Sequence, residues 1–191
     1  MRFAYREFLK NFEIEPTDAE FDALNGPPLP EVVRRLKAAH ALKSDDRVLL
    51  TIYCELIDRA YTNVAPSIGA RALLRLAKEN RCSVGIVTSN SMERTKGWLT
   101  VVNLAQQIDF IVSGDEVQHG KPHPEPYLLA SQRTSCPRTE IVVVEDSPQG
   151  ARSALDAGLK TFALTADFDS RLWPEGAVQV SSLHQLMERL W

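Results

Sequence analysis

Residues Ile141 to Gly158, IVVVEDSPQGARSALDAG, restrict the fold more than any other stretch of the chain. Ile141, Val142, Val143 and Val144 form a continuous β-branched run too short for a helix. Such a run suits a strand buried on both faces of a parallel sheet. Glu145 and Asp146 follow at once. Ser147 can cap a helix and Pro148 suits its first turn. Gly150, Ala151, Ala154 and Ala157 then place small residues at helical spacing before Gly158 stops the helix. Two carboxylates therefore stand where a parallel strand ends and a helix begins, the edge of an open α/β sheet at which ligands bind. Adjacent like charges beside a buried strand need neutralising, and Mg2+ does this well because it prefers carboxylate oxygens and water. Solvated loop acids or plain helix-start charges would also fit this stretch taken alone.

The remaining sequence falls into two parts. Residues 1–64 carry only helical patterns. Phe3 to Phe12 has apolar residues at helical intervals, and Thr17 to Glu20 is a capping box opening a helix that Gly26 closes. Glu31 to Leu42 is amphipathic. Ser44 caps a longer helix from Asp45 to about Tyr61, with Leu49, Ile52, Tyr53, Leu56 and Ile57 as its buried stripe. Short helices with short links predict a small bundle. Residues 65–191 alternate helix and strand. Helices are expected at Ala70 to Lys78, Glu93 to Val102, Tyr127 to Gln132, after Ser147, and from Ser182 to Leu190. Strands are expected at Ser83 to Val87, Phe110 to Val112, Ile141 to Val144 and Thr161 to Leu164. This alternation implies an α/β fold, a Rossmann-like parallel sheet with flanking helices.

Length and charge narrow the function classes. A chain of 191 residues holds one well-cored domain, or one with a small appendage. A net charge of −3 gives no electrostatic reason to expect nucleic acid or an anionic membrane as partner. No apolar run approaches membrane-spanning length, and Met1 opens no signal peptide. Cys54, Cys82 and Cys136 are an odd number without CxxC spacing, and read as reduced thiols of a cytoplasmic protein.

Three stretches that follow strands carry chemistry. Thr88-Ser89-Asn90-Ser91 offers hydroxyls, an amide and backbone N–H groups at a helix start, which suits a phosphate or a plain N-cap. Gly120-Lys121-Pro122-His123-Pro124 fixes a lysine between a flexible and a rigid residue, where it can neutralise a phosphate. Glu145-Asp146 supplies the acids. Other candidates are weaker. Asp167-Phe168-Asp169-Ser170 has DxD spacing after the Thr161 to Leu164 strand, but no further helical bundle follows it. Asp45-Asp46 suits a helix first turn. His119 and His123 are four apart, but Gly120 and Pro122 prevent the helix on which that spacing would place two metal ligands on one face. Trp98, Trp173 and Trp191 read as packing residues.

VGIVTSNS, SGDEVQHGKPHPEPYLLA and IVVVEDSPQGARSALDAG resemble the second, third and fourth motifs of the haloacid dehalogenase-like (HAD) hydrolase superfamily. Within it they are most similar to the β-phosphoglucomutase and phosphoglycolate phosphatase-like group. The resemblance is close from about Val64 to Leu164. It implies that residues 1–64 form a helical cap domain and residues 65–191 a HAD-like core domain. By the same resemblance Ser89 would hydrogen-bond the transferring phosphoryl group, helped by the Asn90 backbone. Lys121 would balance charge between phosphate and nucleophile. Asp146 would ligate Mg2+ directly, and Glu145 directly or through water. The implied activity is a Mg2+-dependent phosphatase of a small phosphorylated metabolite working through an aspartyl-phosphate. The family's first motif, a strand followed by DxDGT or DxDGV, has no match in these residues, so neither its nucleophilic aspartate nor its general acid/base is present.

In the family that strand lies between those ending at Ser89 and Glu145. A gap, a rearranged sheet, or a strand donated by another chain is therefore expected, with oligomers forming through open sheet edges. The alternatives are a non-catalytic HAD-fold binding or interaction protein and a phosphomutase of a sugar phosphate. A dinucleotide-binding domain is disfavoured because no GxGxxG follows a strand.

Overall fold

A computed structural model describes residues 2–24, 27–61, 64–165 and 172–191. Asn25, Gly26 and the Asp167-Phe168-Asp169-Ser170 stretch lie outside them. The chain divides into two compact units, Met1–Ala65 and Pro66–Trp191.

The first unit is helical throughout its described elements: α1 (Arg2–Lys10), α2 (Asp18–Leu24), α3 (Leu29–Ala39) and α4 (Asp46–Tyr61). Its core comes from the stripes read in the sequence. Tyr5, Phe8 and Leu9 meet Val32, Val33 and Leu36 and the α4 residues Leu49, Tyr53, Leu56 and Ile57. Phe8 sits between Phe12 and Tyr53, with ring centroids 5.2 and 4.9 Å away. The caps differ in detail from the sequence reading. Thr17 Oγ1 accepts the Glu20 N–H at 3.3 Å, but the Glu20 carboxylate does not complete the capping box. It accepts the Tyr5 hydroxyl at 2.6 Å and meets His40 Nε2 at 2.8 Å. Asp45, not Ser44, supplies a side-chain oxygen to the first turn of α4, accepting the Arg47 N–H at 2.8 Å. Asp46 pairs with Lys37. These acids act as helix-start charges.

The second unit runs α5 (Ala70–Glu79), β1 (Gly85–Val87), α6 (Met92–Val101), β2 (Phe110–Val112), α7 (Glu125–Gln132), β3 (Val142–Glu145), α8 (Pro148–Asp156), β4 (Lys160–Leu164), β5 (Val178–Val180) and α9 (Leu183–Leu190). Every strand pairing is parallel, as alternating helices and strands require. The strands form two sheets rather than one. One is β1–β2, with Val87 opposite Val112. The other is β3–β4–β5, with Glu145 opposite Ala163 and Phe162 opposite Val178. Among the described residues, no strand pairs with the second edge of β1 or of β3. The sequence led us to expect a gap or a rearranged sheet at this place. The short β5 was not foreseen, because Val178-Gln179-Val180 is too brief to show a period.

Helix α8 approaches β3 and β4 closely because its inward positions are small: Gly150, Ala151 and Ala154 are buried, and Ala157 follows. Gly158, at φ 76°, ends the helix in a conformation that costs a residue with a Cβ. Ala154, Ala157 and Leu159 join Tyr127 and Val143 in one cluster, and Val87 and Leu128 pack against it. Apolar contact thus links β1 to β3 where no ladder does. Among the described residues no helix is long and apolar enough to cross a membrane.

Truncating the centre of the helical core tests its role. Phe8→Ala should lower stability by about 3–5 kcal/mol, the cost of emptying an aromatic site. Phe8→Leu should cost clearly less. Urea titration followed by near-ultraviolet circular dichroism, which senses the Phe and Tyr cluster, reads both.

Candidate active site

The site lies at the carboxyl ends of β1 and β3, and its central group is Lys121. Its ammonium donates to the Val87 carbonyl, the last residue of β1, at 3.1 Å, and to Glu145 Oε1, the last residue of β3. Both partners are withdrawn from water: the side chains of Lys121 and Glu145 are 12% and 6% exposed. Burying two ions costs several kcal/mol each unless the pair is well made and the remaining polar atoms are satisfied. Here they are satisfied. Tyr127 also donates its hydroxyl to Glu145 Oε1, and Ser147 Oγ lies 3.2 Å from Oε2. The carboxylate also lies against the first turn of α8, at the positive end of the helix dipole. Burial, and then the negative charge of Glu145, push the Tyr127 hydroxyl well above its ordinary pKa, so it remains a donor.

Gly150 makes room for this carboxylate. A Cβ there would lie 2.1 Å from Glu145 Cδ, an impossible contact. Ser147 Oγ meanwhile accepts the Gly150 N–H at 3.0 Å, which is the cap the sequence suggested. Asp146 stands apart from Glu145 in environment: its side chain is exposed. The two acids that read as a pair in the sequence therefore occupy different surroundings. Glu145 is spent on Lys121, Tyr127 and Ser147, and Asp146 faces solvent.

The segment that carries Lys121 is held by Glu125 at the start of α7. Its carboxylate accepts the N–H groups of Gln118 at 2.7 Å and His119 at 2.9 Å, and these bonds lower its pKa. Ser153 Oγ, on α8, donates to the His123 carbonyl at 2.6 Å and ties down the other end.

Ser89 and Asn90 lie on the loop after β1. Ser89 is exposed. The Asn90 N–H is donated to Thr88 Oγ1 at 3.1 Å, while the Asn90 carbonyl accepts the Gly114 N–H at 2.8 Å. Ser91 caps α6 by accepting the Arg94 N–H, and Asp115 accepts the Met92 N–H at 2.7 Å. The loop after β2 thus braces the loop after β1. That brace is anchored by Glu116, which accepts the Ser113 N–H and hydroxyl at 2.9 and 3.0 Å and pairs with Arg133. The Arg133 guanidinium, then the Ser113 N–H, hold its carboxyl down to about 2.

Sequence reasoning singled out Ser89, Asn90, Lys121, Glu145 and Asp146. The structure joins Lys121 to Glu145 directly and sets Ser89 two residues beyond the Val87 carbonyl that Lys121 also holds. Tyr127, Gly150 and the Glu116–Arg133 brace were missed. Tyr127 had one readable signal: it is a polar aromatic residue on a helix that must pack inward.

Two outcomes follow from this geometry. Gly150→Ala should cost about 1–3 kcal/mol in chemical denaturation, because the new methyl must evict the carboxylate. Combined with Glu145→Ala it should cost less than the sum of the single changes. For Glu116, the folded pKa of about 2 lies below the ordinary value of 4.5. Its stabilisation is therefore complete above pH 4.5 and lost as pH falls toward about 2. Glu116→Gln should accordingly lower the urea midpoint at pH 7 and flatten its fall between pH 5 and pH 3.

Comparison with known proteins places this geometry. The sequence pattern of the family described as Haloacid dehalogenase-like hydrolase matches residues 3–164. Validoxylamine A 7'-phosphate phosphatase of Streptomyces hygroscopicus subsp. limoneus is 26% identical over 187 residues, spanning 97% of this chain and 87% of that protein. Hexitol phosphatase A of Escherichia coli (strain K12) is 35% identical over 118 residues, spanning 62% of this chain and 54% of that protein. Among solved structures, β-phosphoglucomutase from Clostridium difficile superposes with a TM-score of 0.77 at 17% identity, covering 97% of this chain and 84% of that one. The last likeness speaks to fold alone. Since the family's pattern spans most of the residues and every element of the site, the chain belongs to the haloacid dehalogenase-like hydrolases.

Proposed function

We propose that these residues form the cap and most of the catalytic core of a Mg2+-dependent phosphatase acting on a small phosphorylated metabolite. The observation that carries this reading is the position of Lys121, a buried cation fixed between the end of β1 and the end of β3. Phosphoryl transfer concentrates negative charge and needs little from a protein beyond positioning and charge neutralisation. An ammonium has three N–H donors. Val87 and Glu145 take two, which leaves one for an anion brought to the strand ends. Ser89, exposed on the neighbouring loop, would donate to a phosphoryl oxygen. The Asn90 N–H would join it after giving up Thr88 Oγ1.

The donor set suits Mg2+, since Asp146 offers an exposed hard oxygen ligand. Asp146 would hold the ion directly. Glu145, engaged by three side chains, would act through water and chiefly as the counter-ion of Lys121. Bound Mg2+ would supply charge neutralisation at the phosphoryl oxygens. Among the described residues no aspartate stands in the loop directly after β1, and no third strand stands between β1 and β3. We place the nucleophile there, on a strand contributed from outside these residues, and take the 191 residues alone to be inactive. The named relatives support a phosphorylated small molecule as substrate, without choosing among metabolites.

The test compares the chain with a version extended at its amino end by a strand and a DxDGT turn. Phosphate release from a panel of sugar and polyol phosphates should be absent for the chain alone. It should appear with Mg2+ for the extended form, and should fall by at least about 100-fold in Asp146→Ala or Lys121→Ala, the scale of losing one charge-stabilising group. Turnover by the 191 residues alone, abolished by Asp146→Ala, would overturn the inactivity. An extended form that folds but hydrolyses nothing on the panel would overturn the phosphatase reading.

A further inference from the structure

Gly120 and Pro122 exclude the helical turn that would set His119 and His123 on one face, and the structure indeed has no helix across these residues. The loop nevertheless brings the two imidazoles together by another route. Their ring centroids are 4.7 Å apart, with the planes inclined by 34°. Glu125 completes the group. Its Oε2 lies 3.0 Å from His119 Nδ1 and 4.0 Å from His123 Nδ1. One ligand atom from each of the three residues lies within 4.8 Å of the other two.

Hydrophobic burial does not explain this cluster. The histidine side chains are 63% and 50% exposed, so little apolar surface leaves water when the rings meet. What the cluster offers is a donor set of two imidazole nitrogens and one carboxylate oxygen, open to solvent. That set is the one preferred by borderline divalent transition metals, with a fourth position left for water. It is a poor set for Mg2+, which prefers all-oxygen surroundings. The framework is also partly preorganised. Glu125 Oε1 remains bonded to the Gln118 N–H at 2.7 Å, which fixes the carboxylate while Oε2, which accepts the His119 N–H at 2.9 Å, faces the rings. The His123 carbonyl is held by Ser153 at 2.6 Å.

We propose that His119, His123 and Glu125 form a binding site for a transition-metal ion of the Zn2+ class, separate from the Asp146 oxygens. Lys121 lies between the two histidines in sequence, so the ion would tie together both ends of the segment that carries it. The ligands rotate about exposed side-chain bonds to close on the ion, and the bond between His119 Nδ1 and Glu125 Oε2 gives way to metal coordination, while His123 either gives up the Glu125 N–H that its Nδ1 accepts at 3.2 Å or binds through Nε2.

The test titrates the purified full chain with Zn2+ against a chromophoric chelator, in the presence of a large excess of Mg2+. One Zn2+ should bind per chain with a Kd of about 10 micromolar or tighter, unaffected by the Mg2+. His119→Ala and His123→Ala should each weaken it by at least about tenfold, and Glu125→Gln should weaken it too. His184→Ala should leave it unchanged. Because the substituted histidines are exposed, circular dichroism should show each variant folded. Cu2+ electron paramagnetic resonance should show coupling to two imidazole nitrogens, lost in the double histidine variant. The proposal is overturned if no Zn2+ binds in this range. It is equally overturned if affinity survives the double histidine variant, or follows Cys82→Ser and Cys136→Ser instead.

Discussion

The bond between Lys121 and Glu145 is the constraint on which the α/β unit depends. Strands β1 and β3 belong to different sheets, so no backbone ladder sets the end of one against the end of the other. Lys121 does so instead, holding the β1 carbonyl of Val87 and the β3 carboxylate of Glu145 with one ammonium. A buried ion pair is often no better for stability than well-packed apolar side chains. Its presence here is therefore better explained by what it positions. It fixes the loop of residues 118–124, the start of α8 and the end of β1 around one charge. The surrounding sequence serves the same end. Tyr127 brings a hydroxyl from α7, Ser147 brings one from the α8 cap, and Gly150 clears the space the carboxylate fills.

This arrangement divides labour between the two acids. A carboxylate with two oxygens has about four acceptor positions. Those of Glu145 are largely taken by Lys121, Tyr127 and Ser147, so it has little left to give a ligand. Asp146, one residue later and past the end of the strand, meets solvent. Two like charges that would repel in one site thus have different surroundings. One is engaged by three side chains, and the other is exposed to solvent.

Much of this was legible in the sequence. The apolar run of Val142, Val143 and Val144 ending in two acids predicted a buried parallel strand, and Ser147 with Pro148 predicted the start of α8. Both follow from local pattern. The pairing of Lys121 with Glu145 was not legible, because it joins residues 24 apart through a loop whose path is set by Glu125 and Ser153. The proximity of His119 and His123 escaped for the same reason: Gly120 and Pro122 forbid a helix, but say nothing about how a tight loop folds back. The first turn of α4 shows a smaller limit. Ser44 and Asp45 are both good cap residues, and only the three-dimensional path of the chain chose Asp45.

The split sheet and the buried lysine are two aspects of one arrangement. In an unbroken parallel sheet, the end of β1 would be fixed by a neighbouring strand, and a lysine there would be free to face a ligand. Here the second edges of β1 and β3 carry no strand among the described residues, and the ammonium reaches across to both ends. Any anion that enters between them must share Lys121 with Glu145. An anion carried on a further strand would also meet the second edges of β1 and β3. A small anion gains only the charge. A strand that carried an anion to this place would therefore meet both the sheet edges and the lysine, and an ion alone would meet only the lysine.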